Sequence, residues 1–123
     1  TQATSGGAVS EGTYDFAPAL ARLEGDVELL KEQMQFVVND APPLVEDIRS
    51  AISGGDHAAL RLAAHRLKGL VGNFESSEGC QCAARLEDMG RSGNVGEAET
   101  VYGELKHRVD DLVQALARYV ATH

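Results

Sequence analysis

The stretch Ala63-Ala64-His65-Arg66-Leu67-Lys68-Gly69-Leu70-Val71-Gly72-Asn73-Phe74 decides the fold. Its apolar residues recur at three- and four-residue steps, the period of a helix, yet glycine stands at 69 and again at 72. An interior helical glycine costs about 0.5–1 kcal/mol relative to alanine. Two of them beside one histidine and one lysine suggest that bare space next to the imidazole is worth that loss. At about 100° per residue, with His65 as the zero direction, Ala58, Arg61, Leu62, Lys68, Gly69 and Gly72 fall within roughly 60° of it. Leu60, Ala63, Leu67, Leu70 and Phe74 lie opposite, flanked by Ala59 and Val71. One face is an apolar stripe for burial. The other holds an imidazole among cations and small residues, so the wheel predicts an exposed, uncrowded His65.

Outward from this helix, the pattern is helical from Asp15 onward, without strand-like alternation. A short helix is predicted from Asp15 to about Leu23, with Pro18 in its first turn. Gly25 punctuates and Asp26 caps the next segment. That segment carries Val27, Leu30, Met34, Val37, Ala41, Leu44, Val45, Ile48 and Ile52 on one face. Pro42 and Pro43 interrupt it; because the apolar phase is kept across them, a kinked continuous helix is expected rather than a new helix capped by Asp40. Ser53-Gly54-Gly55 ends it. Asp56 caps the histidine helix, expected to reach about Phe74. Ser76 or Ser77 caps a shorter helix with Cys82, Leu86 and Met89, stopped by Gly90 and Ser92-Gly93. Asn94 with Glu97 resembles a capping box. The last helix carries Ala98, Val101, Tyr102, Leu105, Val109, Leu112, Leu116 and Tyr119 on one stripe. The expectation is an all-α fold: an antiparallel, up-down four-helix bundle with a short additional N-terminal helix. It occupies residues 14–123. Residues 1–13, rich in Gly, Ser and Thr, read as a disordered linker or cloning remnant.

The chain's 123 residues fit one domain. A net charge of −8 argues against nucleic acid as a partner. No apolar run approaches the roughly 18 residues of a membrane helix and no signal peptide is read, so a cytoplasmic domain without direct membrane insertion is expected. Three tyrosines, three phenylalanines and no tryptophan do not suggest an aromatic ligand pocket; Phe36, Tyr102 and Tyr119 are read as packing residues. Cys80 and Cys82, two apart on a helix, point about 200° away from each other and do not bridge. They are read as a core cysteine and a bystander, and no four-ligand metal spacing accompanies them. His57, His107 and His123 are assigned no chemistry; Glu104 three residues before His107 is one pair where a metal-binding bundle needs more.

His65-Arg66-Leu67-Lys68-Gly69, followed by Asn73-Phe74 and by Leu86-Glu87 on the next helix, resembles the histidine-containing phosphotransfer (HPt) family. The resemblance covers about residues 15–121 in helix order and loop placement, and is sharp over 60–74. The chain departs from the family at Glu75-Ser76-Ser77, where a small glycine-containing turn is common. The resemblance implies a helical bundle whose exposed histidine, here His65, carries phosphoryl groups between receiver-domain aspartates as a phosphorelay intermediate. By analogy the attacking atom is Nε2; no group is assigned to the other ring nitrogen.

The residues suit that chemistry. Phosphoryl transfer needs an in-line nucleophile and neutralisation of oxygen charge, and a free imidazole, with a reference pKa near 6.5, offers an unprotonated nitrogen near neutral pH. Lys68, one turn on, can reach phosphoryl oxygens as a flexible point charge. Arg61 and Arg66 extend a cationic patch, and no acid occurs from His57 to Gly72. Gly69 and Gly72 clear space for the incoming group, while Ala58 and Leu62 offer apolar contact for docking. No carboxylate cluster flanks His65 in sequence, so Mg²⁺ is expected in the partner receiver, with no cofactor or metal held by this domain. Without a phosphate-cradling glycine loop it should neither bind ATP nor phosphorylate itself. The expected partners are receiver domains of response regulators or of a hybrid kinase. The domain is expected to be a monomer, and its linker-like start suggests the C-terminal module of a hybrid sensor kinase. Two alternatives are a helical adaptor that docks receivers without carrying phosphate, which the presence of His65 disfavours, and the phosphotransfer domain of a chemotaxis-type histidine kinase.

Overall fold

Asp26 and Asp56 each do what short polar residues ahead of an apolar run are expected to do. Their carboxylates accept backbone N–H bonds from Leu29 and Ala59, both at 3.0 Å, and so start the second and third helices. The computed structural model describes residues 14–74 and 78–123. Its helices are α1 (Ala17–Arg22), α2 (Val27–Gly54), α3 (His57–Val71), α4 (Glu78–Ser92) and α5 (Ala98–Thr122). Among the described residues there is no strand. α2 packs on α3, α3 on α4, α4 on α5 and α5 back on α2, while α1 rests against α2 and its Arg22 donates to the Asn73 carbonyl at 3.0 Å. That closed ring of sequence neighbours is the up-down four-helix bundle, with α1 as the short addition.

The core follows the helical stripes. Leu30, Met34, Ile48, Leu60, Leu67, Leu86, Leu105, Leu112 and Leu116 are all essentially inaccessible. Each such side chain contributes about 1.5–3 kcal/mol on burial. Leu70 and Phe74, placed on the same stripe of α3, are only partly covered, and Ala64 is buried with them.

Several boundaries differ from the pattern reading. α1 is six residues long because Asp15 lies outside it, accepting the Ala17 N–H at 3.0 Å. α2, by contrast, is continuous through Pro42 and Pro43, as the kept apolar phase implied. Both prolines face solvent between the buried Ala41 and Val45, so no core packing depends on the backbone bonds they forgo. α2 closes on Gly55, whose φ of +68° is the left-handed conformation glycine adopts without strain. α3 stops at Val71; Gly72, Asn73 and Phe74 form a turn with the Phe74 N–H on the Val71 carbonyl at 2.9 Å. Gly72 therefore caps the helix rather than lying inside it. Asn94 caps nothing: α5 starts after Glu97 without a side-chain cap, and the Asn94 N–H instead donates to Ser92 Oγ at 3.1 Å. Gly90 does not stop α4, which continues to Ser92. Phe36 is not a packing residue, since it is 62% exposed. The linker reading of residues 1–13 and the cap at Ser76 or Ser77 lie outside the described residues.

Candidate functional site around His65

The site begins with how closely two helices approach. A Cβ on Gly90 would lie 2.6 Å from the Arg61 backbone nitrogen and 2.7 Å from the His57 carbonyl oxygen. No such contact is tolerated, so glycine at 90 is what lets the α4 backbone rest on the first turns of α3. The helices run antiparallel. One turn before Gly90 on α4 is Glu87, and one turn after Arg61 on α3 is His65. The close approach sets these two side chains against each other.

Among the described residues, Glu87 is the charged side chain that is buried, at 6% exposure. Its carboxylate is held by three cationic or potentially cationic groups. His65 Nδ1 lies 3.0 Å from Oε2, Lys68 Nζ 2.7 Å from Oε1, and Arg91 Nη2 3.3 Å from Oε2. Arg91 also pairs with Asp88 through its other terminal nitrogen. A buried carboxylate with this many donors is satisfied, as burial requires. The hydrogen bond from Lys68 is the largest influence in holding Glu87 below its ordinary titration range. Burial pushes the other way, and the His65 bond adds to the lowering. Glu87 is therefore an ionised acceptor, and His65 donates Nδ1–H to it. That fixes the tautomer and leaves the Nε2 lone pair on the ring edge away from Glu87.

The His65 side chain is 61% exposed, as the wheel predicts. Among the described residues a Cβ on Gly69 would meet nothing within 4 Å, so none of them requires glycine there; the bare helix surface lies open beside the ring. Gly72 is different, because its Cβ would press on the Lys68 carbonyl oxygen at 3.1 Å. Arg61, Arg66 and Ala58 are exposed on the same face of α3, and Leu62 is 43% exposed. Lys68 is not free in the resting site: it is committed to Glu87. Leu62 and Arg66 border a shallow cleft of about 480 Å³ shared with Leu44 and Asp47 of α2. Phe36 and Asp40 of α2 border another of about 360 Å³ with Gly69 and Phe74. The eight residues proposed from sequence thus share one surface, and Phe36 extends it onto α2.

Glu87 is the group at the other ring nitrogen that the sequence reading left unassigned: it comes from the neighbouring helix. The sequence carried a signal for it. Glu87 occupies the buried register of α4, among Ala83, Leu86 and Gly90, where a lone carboxylate demands partners. Elsewhere, His107 sits near Asp111 at 3.5 Å and His123 stacks on Tyr119, both away from this cluster. Cys80 and Cys82 form no disulfide, and the Cys82 thiol donates to Glu104 Oε1 at 3.7 Å. Among the described residues no group of three or more His, Cys, Asp or Glu is placed to hold a metal ion, and no helix is long and apolar enough to cross a membrane.

A four-helix bundle presenting a solvent-facing histidine that is oriented by a buried carboxylate and flanked by cations defines a phosphotransfer domain of the histidine-carrier class. The Hpt domain family matches residues 32–118, and the chain belongs to that family: it is a phosphorelay intermediate of two-component signalling. Two solved structures share the fold. Histidine-containing phosphotransfer protein B from Pseudomonas aeruginosa superposes with a TM-score of 0.79 at 21% identity, covering 89% of this chain and 96% of that one. The HPT domain of a sensor hybrid histidine kinase from Shewanella gives 0.68 at 19% identity, covering 89% and 92%. No curated protein matches the sequence.

Proposed function

We propose that His65 is the phosphoacceptor, taking a phosphoryl group from a receiver-domain aspartyl phosphate and passing it to the aspartate of another receiver. The observation that carries this is the bond from His65 Nδ1 to the buried, ionised Glu87 on a ring that is 61% exposed. With Nδ1 protonated, Nε2 attacks phosphorus in line. The N–P bond forms as the bond from phosphorus to the aspartyl oxygen breaks, and the electron pair leaves on the aspartate carboxylate. The ring acquires positive charge, which Glu87 stabilises through Nδ1–H without taking the proton, the role an orienting carboxylate plays beside a catalytic imidazole. The return step reverses each change, so the domain supplies a nucleophile and a docking face rather than a committed active site.

Lys68 swings from Glu87 toward the arriving oxygens, a motion its flexible four-carbon stem permits. Arg61 and Arg66 complement the acidic rim that an aspartyl phosphate site presents. Ala58, Leu62, Gly69 and Gly72, with Phe36 from α2, form the surface against which a receiver seats. The Mg²⁺ of the reaction belongs to the receiver. On this reading the domain works as a monomer in the cytoplasm, free or tethered to a sensor kinase.

The test is transfer from a receiver phosphorylated by acetyl phosphate with Mg²⁺. The native chain should acquire an acid-labile, base-stable label, and His65→Gln should acquire none. Label on the His65→Gln protein would remove the assignment.

A further inference from the structure

The turn that ends α3 is gripped from outside the four-helix bundle. Arg22, the last residue of α1, donates from Nη2 to the Asn73 carbonyl at 3.0 Å. Phe16, at the start of α1, stands edge-on to Phe74 with ring centroids 6.1 Å apart, and edge-on to Tyr119 of α5 at 5.6 Å. Asn73 and Phe74 also line the cleft of about 360 Å³ beside Gly69, whereas neither Phe16 nor Arg22 borders it. Gly69 lies one turn from His65, so a receiver that brings its aspartyl phosphate to Nε2 covers this cleft as well. We propose that Phe16 and Arg22 are positioning residues for receiver binding: by bracing Phe74 and Asn73 they hold the cleft beside Gly69 in the shape against which a receiver seats. The inference rests on the reading of the His65 face as the surface that receives a phosphorylated receiver.

The brace is one that can come loose. α1 is six residues long, and Ala19 is its buried residue. It folds back onto the bundle through Glu24 and Gly25, whose φ values of +56° and +80° are left-handed. Glycine takes that conformation freely, but glutamate does not, so contacts elsewhere must hold it. The grip of Phe16 and Arg22 on the α3 turn supplies them. In return the turn gains a fixed direction: Gly72 gives its backbone freedom, and the Phe74 N–H rests on the Val71 carbonyl at 2.9 Å. A short helix attached by so few groups opens more readily than the bundle it rests on. The shape of the cleft therefore depends on α1 being seated and not on α2 and α3 alone.

The experiment compares native protein with Phe16→Ala, Arg22→Gln and Arg22→Lys. Phosphoryl uptake is measured against the concentration of a phosphorylated receiver, and separately with phosphoramidate, a small donor that needs no docking, with label mapped to His65 by peptide mass spectrometry. Phe16→Ala should raise KM for the receiver by about fivefold and Arg22→Gln by about twofold, with kcat and the phosphoramidate rate unchanged. Arg22→Lys, still a donor, should restore most of the loss. The Phe74 amide should exchange about tenfold faster in Phe16→Ala. Arg22 is exposed, so Arg22→Gln carries the test by itself should Phe16→Ala fail to fold. A native receiver KM in either folded variant, or an unmoved Phe74 amide in Phe16→Ala, overturns the proposal. So does a phosphoramidate rate that falls in step with the receiver rate, which would place the effect on His65 and not on the cleft. Receiver-derived label persisting on His65→Gln overturns the acceptor assignment instead, so the two failures are separable.

Discussion

Gly90→Ala tests the helix contact on which the site depends. The added methyl would stand 2.6 Å from the Arg61 nitrogen, where ordinary contact begins at 3.4 Å. The atoms it meets are backbone, so no rotamer change relieves the clash. The two helices must part by most of an ångström near Arg61. Overpacking of this kind costs about 1–3 kcal/mol, while replacing helical glycine returns about 0.5–1 kcal/mol. The net destabilisation is about 1–2 kcal/mol, which for a domain of this size lowers Tm by roughly 5–10 °C. The displacement also reaches the site, because Glu87 is one turn from Gly90 and its 3.0 Å bond to His65 has little slack before it ceases to be a hydrogen bond. Phosphotransfer should therefore fall at temperatures where the variant is still folded. Circular dichroism melts and the rate of label uptake at 20 °C below the variant's midpoint check both halves. A Gly90→Ala protein that melts at or above the native temperature, with transfer intact, refutes the close-approach argument.

Gly69→Ala should behave in the opposite way. Its methyl meets nothing among the described residues, so helix propensity should raise Tm by a few degrees, about 0.5–1 kcal/mol. The same methyl stands one turn from His65 and should slow uptake from a phosphorylated receiver; melts and label kinetics on one preparation decide it. Glu87 provides a pH prediction. Its titration lies below the usual carboxylate value near 4.5, so between the two values the unfolded chain binds more protons than the folded one. Stability from this group is complete above about pH 4.5 and is lost as pH falls through the depressed folded value. Urea melts of native and Glu87→Gln protein should differ most at neutral pH and converge in acid; a constant difference would contradict the ionised, donor-held carboxylate.

The bundle was legible because it rests on local periodicity. The stripes of α2, α3 and α5 repeat over enough turns that burial could be assigned residue by residue, and the exposed direction of His65 followed from the same wheel. What escaped was non-local. Gly90 carries the same letter whether it ends a helix or admits a neighbour, and the two readings separate only once α3 lies against α4. Glu87 could be seen in an apolar register, but His65 and Lys68 reach it from a helix about twenty residues away, so the orienting group for His65 had no local signature. Phe36 illustrates the reverse error. Its neighbour Val37 is on the buried stripe, and the 100° between successive residues is enough to turn an aromatic ring outward. The boundary errors at Gly72 and Asn94 arise where a glycine or an asparagine has several inexpensive turn conformations open to it.

A carrier that must both accept and surrender a phosphoryl group faces a problem that Glu87 addresses. Cations committed to the empty site and free of any partner would bind the arriving dianion tightly and resist its departure. Here Lys68 and Arg91 already have an anion in Glu87. When phosphoryl arrives, Lys68 exchanges one anion for another, so the gain is the difference between two ion pairs and not the whole of one. When it leaves, the carboxylate takes the cation back and no buried charge is stranded, a loss that would otherwise be costly. On the proposed chemistry, the same residue that fixes the ring's tautomer also narrows the free-energy gap between the loaded and unloaded states. That is what reversible transfer between two aspartates requires.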